Sequence, residues 1–137
     1  MSVPPARVSD TVMRLRRVPG LDVDAGLAFV ANSADVFVRL LAHFVRVHEA
    51  DVHQMVSHAE HADHGSLQQL AHAIKGGAAT LGLKGLASLA QQLEQAIIAN
   101  ESKARVIQLA RALETDHATL SRLLTQAQGA QPAAQHP

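Results

Sequence analysis

In His72-Ala73-Ile74-Lys75-Gly76-Gly77 an imidazole precedes an ammonium by three residues, and two glycines follow. On a helix, positions i and i+3 are surface neighbours, so the lysine can reach a group carried by the histidine. A solvent-exposed imidazole, with an ordinary pKa of about 6.5, keeps a free ring-nitrogen lone pair at neutral pH. That lone pair is a nucleophile, and a flexible ammonium beside it can offset the charge of a phosphoryl group placed there. Each glycine costs a helix about 0.5–1 kcal/mol relative to alanine, so two adjacent ones call for a reason.

A helical wheel at about 100° per residue separates their reasons. Leu67, Leu70, Ile74, Ala78 and Leu81 gather on one side, and His72 falls opposite them, exposed. Gln68, Gly76 and Ala79 lie within about 40° of His72, and Lys75 about one-sixth of a turn away. Gly76 then leaves open surface beside the imidazole, where the active site of a second protein could approach closely. Gly77 points to the flank of the core and lets a neighbouring helix come near. If that second protein supplies the other catalytic groups, the constellation is a phosphoryl relay point.

The rest of the chain supplies helices to hold it. Asp24 or Asp22 caps a short helix through "AGLAFVA", and Ser33 caps a longer one from Ala34 to about Ala50. In the longer one Phe37, Leu40, Leu41, Phe44 and Val45 form a buried stripe, with Arg39, His43 and Arg46 on the other side. Val52, Met55, Val56 and Ala59 make a thinner stripe up to a break at 63–65. Ser66 opens the His72 helix, and Gly82 ends it as a left-handed stop. A helix from Lys84 to Ala99 buries Leu86, Leu89, Ala90, Leu93 and Ile97. A last one from Lys103 to Gln126, after a turn and cap at 100–102, carries Val106, Ala110, Leu113, His117, Leu120 and Leu124 at bundle spacing.

Amphipathic helices on short turns bury their stripes against one another. The expected fold is all-α: an antiparallel four-helix bundle with a short N-terminal helix or helices. Residues 1–19 read as a linker or N-terminal extension, 20–126 as the bundle and 127–137 as a flexible tail.

Composition narrows the function classes. Twelve basic and twelve acidic residues cancel, which leaves no electrostatic footprint for nucleic acid or an anionic membrane. Without cysteine there are no disulfides and no thiolate metal sites. With no Trp, no Tyr and three Phe, the core is built from Leu, Val, Ile and Ala, which favours helices over sheets.

The other histidines invite a metal reading. His53, His58, His61 and His64 are dense, but no HExxH occurs and the stretch runs into a turn, so a solvated polar face is expected. Glu114 and His117 make one E-x-x-H, whereas di-iron bundles need two plus further carboxylates. His117 falls in the apolar seam as a hydrogen-bonded core or boundary residue. No metal site is expected.

The His72 segment resembles the histidine phosphotransfer (HPt) domains of bacterial multistep phosphorelays. Their H-x-[LI]-K-G pattern, small residues and Leu-Gly ending correspond here to His72, Ile74, Lys75, Gly76, Ala79, Leu81 and Gly82. "LASLAQQLEQA" is similar to the helix that follows in the family, and "PGLDVDAGLAFVANSADVFVRLLAHF" to its opening helices, so the resemblance spans residues 19–125. Phe37 stands where many members have Tyr, and Ala78 with Ala79 leaves the surface near His72 plain.

The resemblance implies that His72 is the phosphoacceptor, Lys75 the phosphate-stabilising cation and Gly76 a small contact residue. It implies a relay intermediate without kinase activity of its own, passing a phosphoryl group between receiver-domain aspartates in two-component signalling. No cofactor of its own is implied, since Mg²⁺ belongs to the receiver. The partner face comprises Gln68, Gln69, Gly76 and Ala79, and Leu27 or Val36 are candidates for an added apolar patch. A cytoplasmic monomer is expected, free-standing or excised from the C-terminal end of a membrane-anchored hybrid sensor kinase. The rival readings are a non-phosphorylated helical bundle that regulates a receiver or kinase by binding, and a His-rich metal-binding bundle.

Overall fold

The computed structural model describes residues 5–129. Among them are seven helices: α1 (Pro5–Leu15), α2 (Val23–Phe29), α3 (Ala34–Val47), α4 (Glu49–Glu60), α5 (His64–Thr80), α6 (Lys84–Ile98) and α7 (Lys103–Ala127). There is no strand among the described residues, only an isolated bridge between Leu21 and Leu83. The packing order is a ring: α5 lies against α6, α6 against α7, α7 against α4 and α4 against α5. The all-α bundle read from the apolar periodicity is therefore the fold, with α1, α2 and α3 added to it.

The ring closes on aliphatic side chains that are fully out of water, among them Met55, Leu67, Ile74, Leu86, Leu93 and Leu113. Burying each such side chain contributes about 1.5–3 kcal/mol. His117 sits in this seam, 3% exposed, and donates from Nε2 to the Val45 carbonyl oxygen at 2.8 Å. Its polar atom is thus satisfied where α7 crosses α3.

Several helix ends follow the sequence. Asp22, one of the two candidates, caps α2 by accepting from the Ala25 amide, and Ser33 and Ser102 cap α3 and α7 by accepting from Val36 and Arg105. Gly82 has φ +82°, and a side chain there would also strike the Asp22 carbonyl oxygen. Two ends differ. The first helix of the pair before the break stops at Val47, and His48 joins it to α4 instead of the helix running to Ala50. Asp63, not Ser66, caps α5: its carboxylate accepts from the Ser66 amide, which makes Ser66 the third residue of the helix.

The linker reading of residues 1–19 is corrected over α1. Val12 and Leu15 are buried, and α1 packs on α3 and α7. Arg14 donates to the Ala127 carbonyl oxygen at 3.1 Å, satisfying one of the acceptors that α7 leaves open at its C-terminus. The spacing of Val12 and Leu15 is one helix face, and the arginines beside them stay in water. At the other end, Ala127 is the buried last residue of α7 rather than the start of a tail. Residues 130–137 of the expected tail lie outside the described residues.

Candidate functional site

α5 presents His72 on the side away from the fully buried Ile74 and Ala71, with 72% of its side chain exposed. Gly76 follows one turn later, and a Cβ built on it meets nothing within 4 Å among the described residues. A Cβ on Gly77 would lie 2.8 Å from the Phe44 ring. The two glycines thus have the separate reasons that the wheel assigned to them: open surface at one, helix contact at the other.

Behind the imidazole stands a residue that the sequence reading did not single out. Glu94, from the middle of α6, is buried, with 10% of its side chain exposed. Its Oε2 lies 3.2 Å from His72 Nδ1, and its Oε1, cut off from solvent, lies 2.7 Å from Lys75 Nζ. The Lys75 ammonium, against the opposing effect of burial and with help from His72, holds this carboxyl below the ordinary carboxylate range. An ionised carboxylate only accepts hydrogen bonds. His72 Nδ1 therefore carries the hydrogen and donates it to Oε2.

The neutral ring then has its lone pair on Nε2, which no protein group engages among the described residues. The arrangement presents a nucleophilic nitrogen to solvent with its tautomer held from behind. Lys75 is placed differently from the free cation expected: its charge is committed to Glu94. Together the pair is neutral, so an anionic group approaching Nε2 meets no net repulsion from the buried carboxylate.

The signal for Glu94 was present in the sequence as a misplaced charge. Leu86, Ala90, Leu93 and Ile97 form the buried stripe of α6, and Glu94 sits within it, four residues after Ala90. An acid on such a stripe needs a cationic or hydrogen-bonding partner.

The other expected contact residues share this face. Gln68 and Gln69 line an open recess with His72 and Glu94, and Gly76 and Ala79 line a second one with Lys75. Leu27 and Val36 are half-buried, and Phe29 and Val47 are the exposed large apolar residues of that region.

The remaining histidines disperse. His53 pairs with Glu114 at 3.0 Å, His58 lies 3.5 Å from Asp63, and His61 donates to the Ser57 carbonyl oxygen. Among the described residues no three His, Asp or Glu side chains gather as a metal site. Glu114 faces His53 while His117 faces Val45, so the single E-x-x-H is split between surface and core.

The family model of the Hpt domain matches residues 39–130, from within α3 through α7. The chain belongs to the Hpt domain family. Members are histidine phosphotransfer modules of phosphorelays and interact with receiver domains. No curated protein matches this Hpt domain, and no solved structure does. None of its described helices is by itself long and apolar enough to cross a membrane.

Proposed function

We propose that this Hpt domain relays a phosphoryl group through Nε2 of His72. The observation that carries the reading is the hydrogen bond from His72 Nδ1 to the buried Glu94 carboxylate, which leaves Nε2 as the exposed lone pair. In the forward step Nε2 attacks the phosphorus of a receiver's aspartyl phosphate. A nitrogen–phosphorus bond forms, the phosphorus–oxygen bond to the aspartate breaks, and that carboxylate leaves with the electron pair. The ring gains positive charge as it loses its lone pair, and the proton on Nδ1 stays against Glu94, which stabilises that charge. Attack on the phosphohistidine by the aspartate of a second receiver reverses these events.

Each residue then has a role within this chain. Glu94 holds the tautomer and faces the developing imidazolium. Lys75 keeps Glu94 ionised and cancels its charge toward the incoming phosphoryl group. Gly76 and Ala79 leave room for the receiver, and Gln68 and Gln69 complete the contact face. The receiver brings Mg²⁺ and the groups that surround its aspartate, so this chain needs no metal of its own and acts as a monomer.

The direct test is incubation with a phosphorylated receiver domain and Mg²⁺, followed by intact mass analysis and acid treatment. The wild-type chain should gain one phosphoryl mass that acid removes, and His72→Gln should gain none while keeping its helical circular dichroism. Phosphate on the His72→Gln chain would reject the assignment.

A further inference from the structure

The chain has twelve aspartates and glutamates. Among the described residues all but Asp10, Glu49 and Asp116 pair with a lysine, arginine or histidine. Asp10 and Glu49 are exposed, where water solvates them, but Asp116 is half-buried. Its neighbour His117 spends Nε2 on the Val45 carbonyl oxygen instead. Burial pushes the Asp116 carboxyl above its ordinary range, with the charge of His117 only opposing. Its oxygens are not sealed off, since Glu94 Oε1 is the one buried side-chain polar atom without a hydrogen bond among the described residues. Asp116 is thus a carboxylate partly withdrawn from water, reachable, and left without a counter-charge.

It stands in a cleft of about 130 Å³ where the loop before α2 meets the start of α6 and the middle of α7. Asp116, Thr119, Leu120 and Leu123 follow at the 3- and 4-residue steps of one α7 face, and Val18, Leu83 and Leu86 complete the apolar wall. The loop side is fixed in place. The Gly85 amide donates to the Gly20 carbonyl oxygen at 3.1 Å, and Leu21 bridges to Leu83. Gly20, with φ +80°, comes so close to α6 that a Cβ on it would lie 3.3 Å from the Gly85 backbone. The cleft is therefore pre-formed, with apolar walls and a few polar groups, as ligand sites are. None of its residues lines the recesses beside His72.

The walls and the charge specify what fits. A lone carboxylate among aliphatic side chains makes no metal site and repels anions. An apolar chain ending in a cation satisfies both parts. An apolar cavity of about 150 Å³ takes one benzene, a ligand of about six heavy atoms. At about 130 Å³ this cleft matches an ammonium on a chain of about four carbons. We propose that the cleft binds a primary alkylammonium of that length, with its charge on Asp116 and its chain along Leu120 and Leu123. The Thr119 hydroxyl, which makes no hydrogen bond among the described residues, is a second acceptor on the same helix face. A free alkylamine and a lysine side chain of another protein segment share this chemistry.

The experiment titrates n-butylamine, charged at neutral pH, into the full chain labelled with nitrogen-15. Amide shifts should gather at Gly20, Gly85 and Thr119, with a Kd of about millimolar. n-Butanol, the same size without the charge, should bind at least about tenfold more weakly. Asp116→Asn, which keeps the shape of the site, should weaken n-butylamine by about tenfold or more. The amine should raise the melting temperature of wild type and not that of the variant. No saturable shifts at the cleft, n-butanol binding as tightly as the amine, or undiminished binding to Asp116→Asn each overturn the inference. Nα-Acetyl-lysine N-methylamide then separates the sources. Binding as tight as that of n-butylamine assigns the cleft to a lysine side chain, and binding at least about tenfold weaker assigns it to a free alkylamine.

Discussion

The buried carboxylate of Glu94 accepts a hydrogen bond from Nδ1 of His72 across 22 residues of chain, and the same carboxylate is clamped by Lys75 at 2.7 Å. One acid therefore sets both the tautomer of the exposed ring and the position of the nearby cation. Replacing it should affect chemistry more than folding. Glu94→Gln, whose amide can turn its NH₂ toward the ring, should slow phosphoryl acceptance by about tenfold, in the range typical of lost orienting partners. Nitrogen-15 NMR of the imidazole should then report a mixture of tautomers in place of one. An unchanged rate with an unchanged tautomer would remove Glu94 from the mechanism.

Lys75 and Glu94 should be energetically coupled. Lys75→Ala leaves a carboxylate buried without its counter-ion and should cost about 1–2 kcal/mol, a figure reduced for the partial exposure of the lysine. Adding Glu94→Gln should recover most of that loss, because no charge is then left unpaired. Urea unfolding of the two single variants and the double variant measures the coupling, and strict additivity would show that the ion pair contributes nothing. Transfer to Lys75→Ala should be slowed but not abolished.

Acid should weaken the fold partly through this pair. Glu94 has a folded-state pKa below its ordinary value, mainly because of Lys75. Its contribution is therefore complete above the unfolded-state pKa of about 4.3 and is lost as pH falls from there through the folded-state value. The stability gap between wild type and Glu94→Gln should accordingly be constant near neutrality and close below about pH 4. Unfolding titrations across that range test the sign.

Asp116 should behave in the opposite sense. Burial against an apolar cleft lined by Val18, Leu83, Leu86 and Leu120 raises its pKa, with His117 opposing. A carboxyl with a raised folded-state pKa favours the fold below the unfolded-state value and loses that contribution as pH rises through the folded-state one. Asp116→Asn should therefore raise the melting temperature at neutral pH, with the gain vanishing below about pH 3.9. A gain that persists in acid would point to packing rather than charge.

The two glycines should part company on substitution. Gly76→Ala meets open space and should stabilise α5 by about 0.5–1 kcal/mol through helix propensity. Gly77→Ala must displace the buried Phe44 ring and should cost about 1–3 kcal/mol. Gly76→Leu should fold like wild type and still impair transfer from a receiver. Denaturant midpoints and transfer rates on the three variants decide each point.

Local signals carried much of this in the sequence. The apolar period marked the helices, Asp22, Ser33 and Ser102 marked helix starts, and Gly82 marked a stop, because each acts through neighbours within a few residues. The wheel separated Gly76 from Gly77 and put His72 in water for the same reason: one helix fixes those directions by itself. Asp63 displaced Ser66 as the cap of α5 because two hydrogen-bonding residues three positions apart compete for one helix start, and local pattern does not rank them.

What tertiary structure decided lies between helices. The register of α6 against α5 brings Glu94 under His72 and Lys75, and no spacing within either helix encodes that register. Packing of α1 onto α3 and α7 turned a short apolar stripe that read as linker into part of the bundle. Packing of α7 against α3 buried His117 against Val45, while Phe29 and Val47 stay in water. Which side chains meet across helices depends on how whole apolar faces close on one another, and that sum over the fold is absent from any single segment.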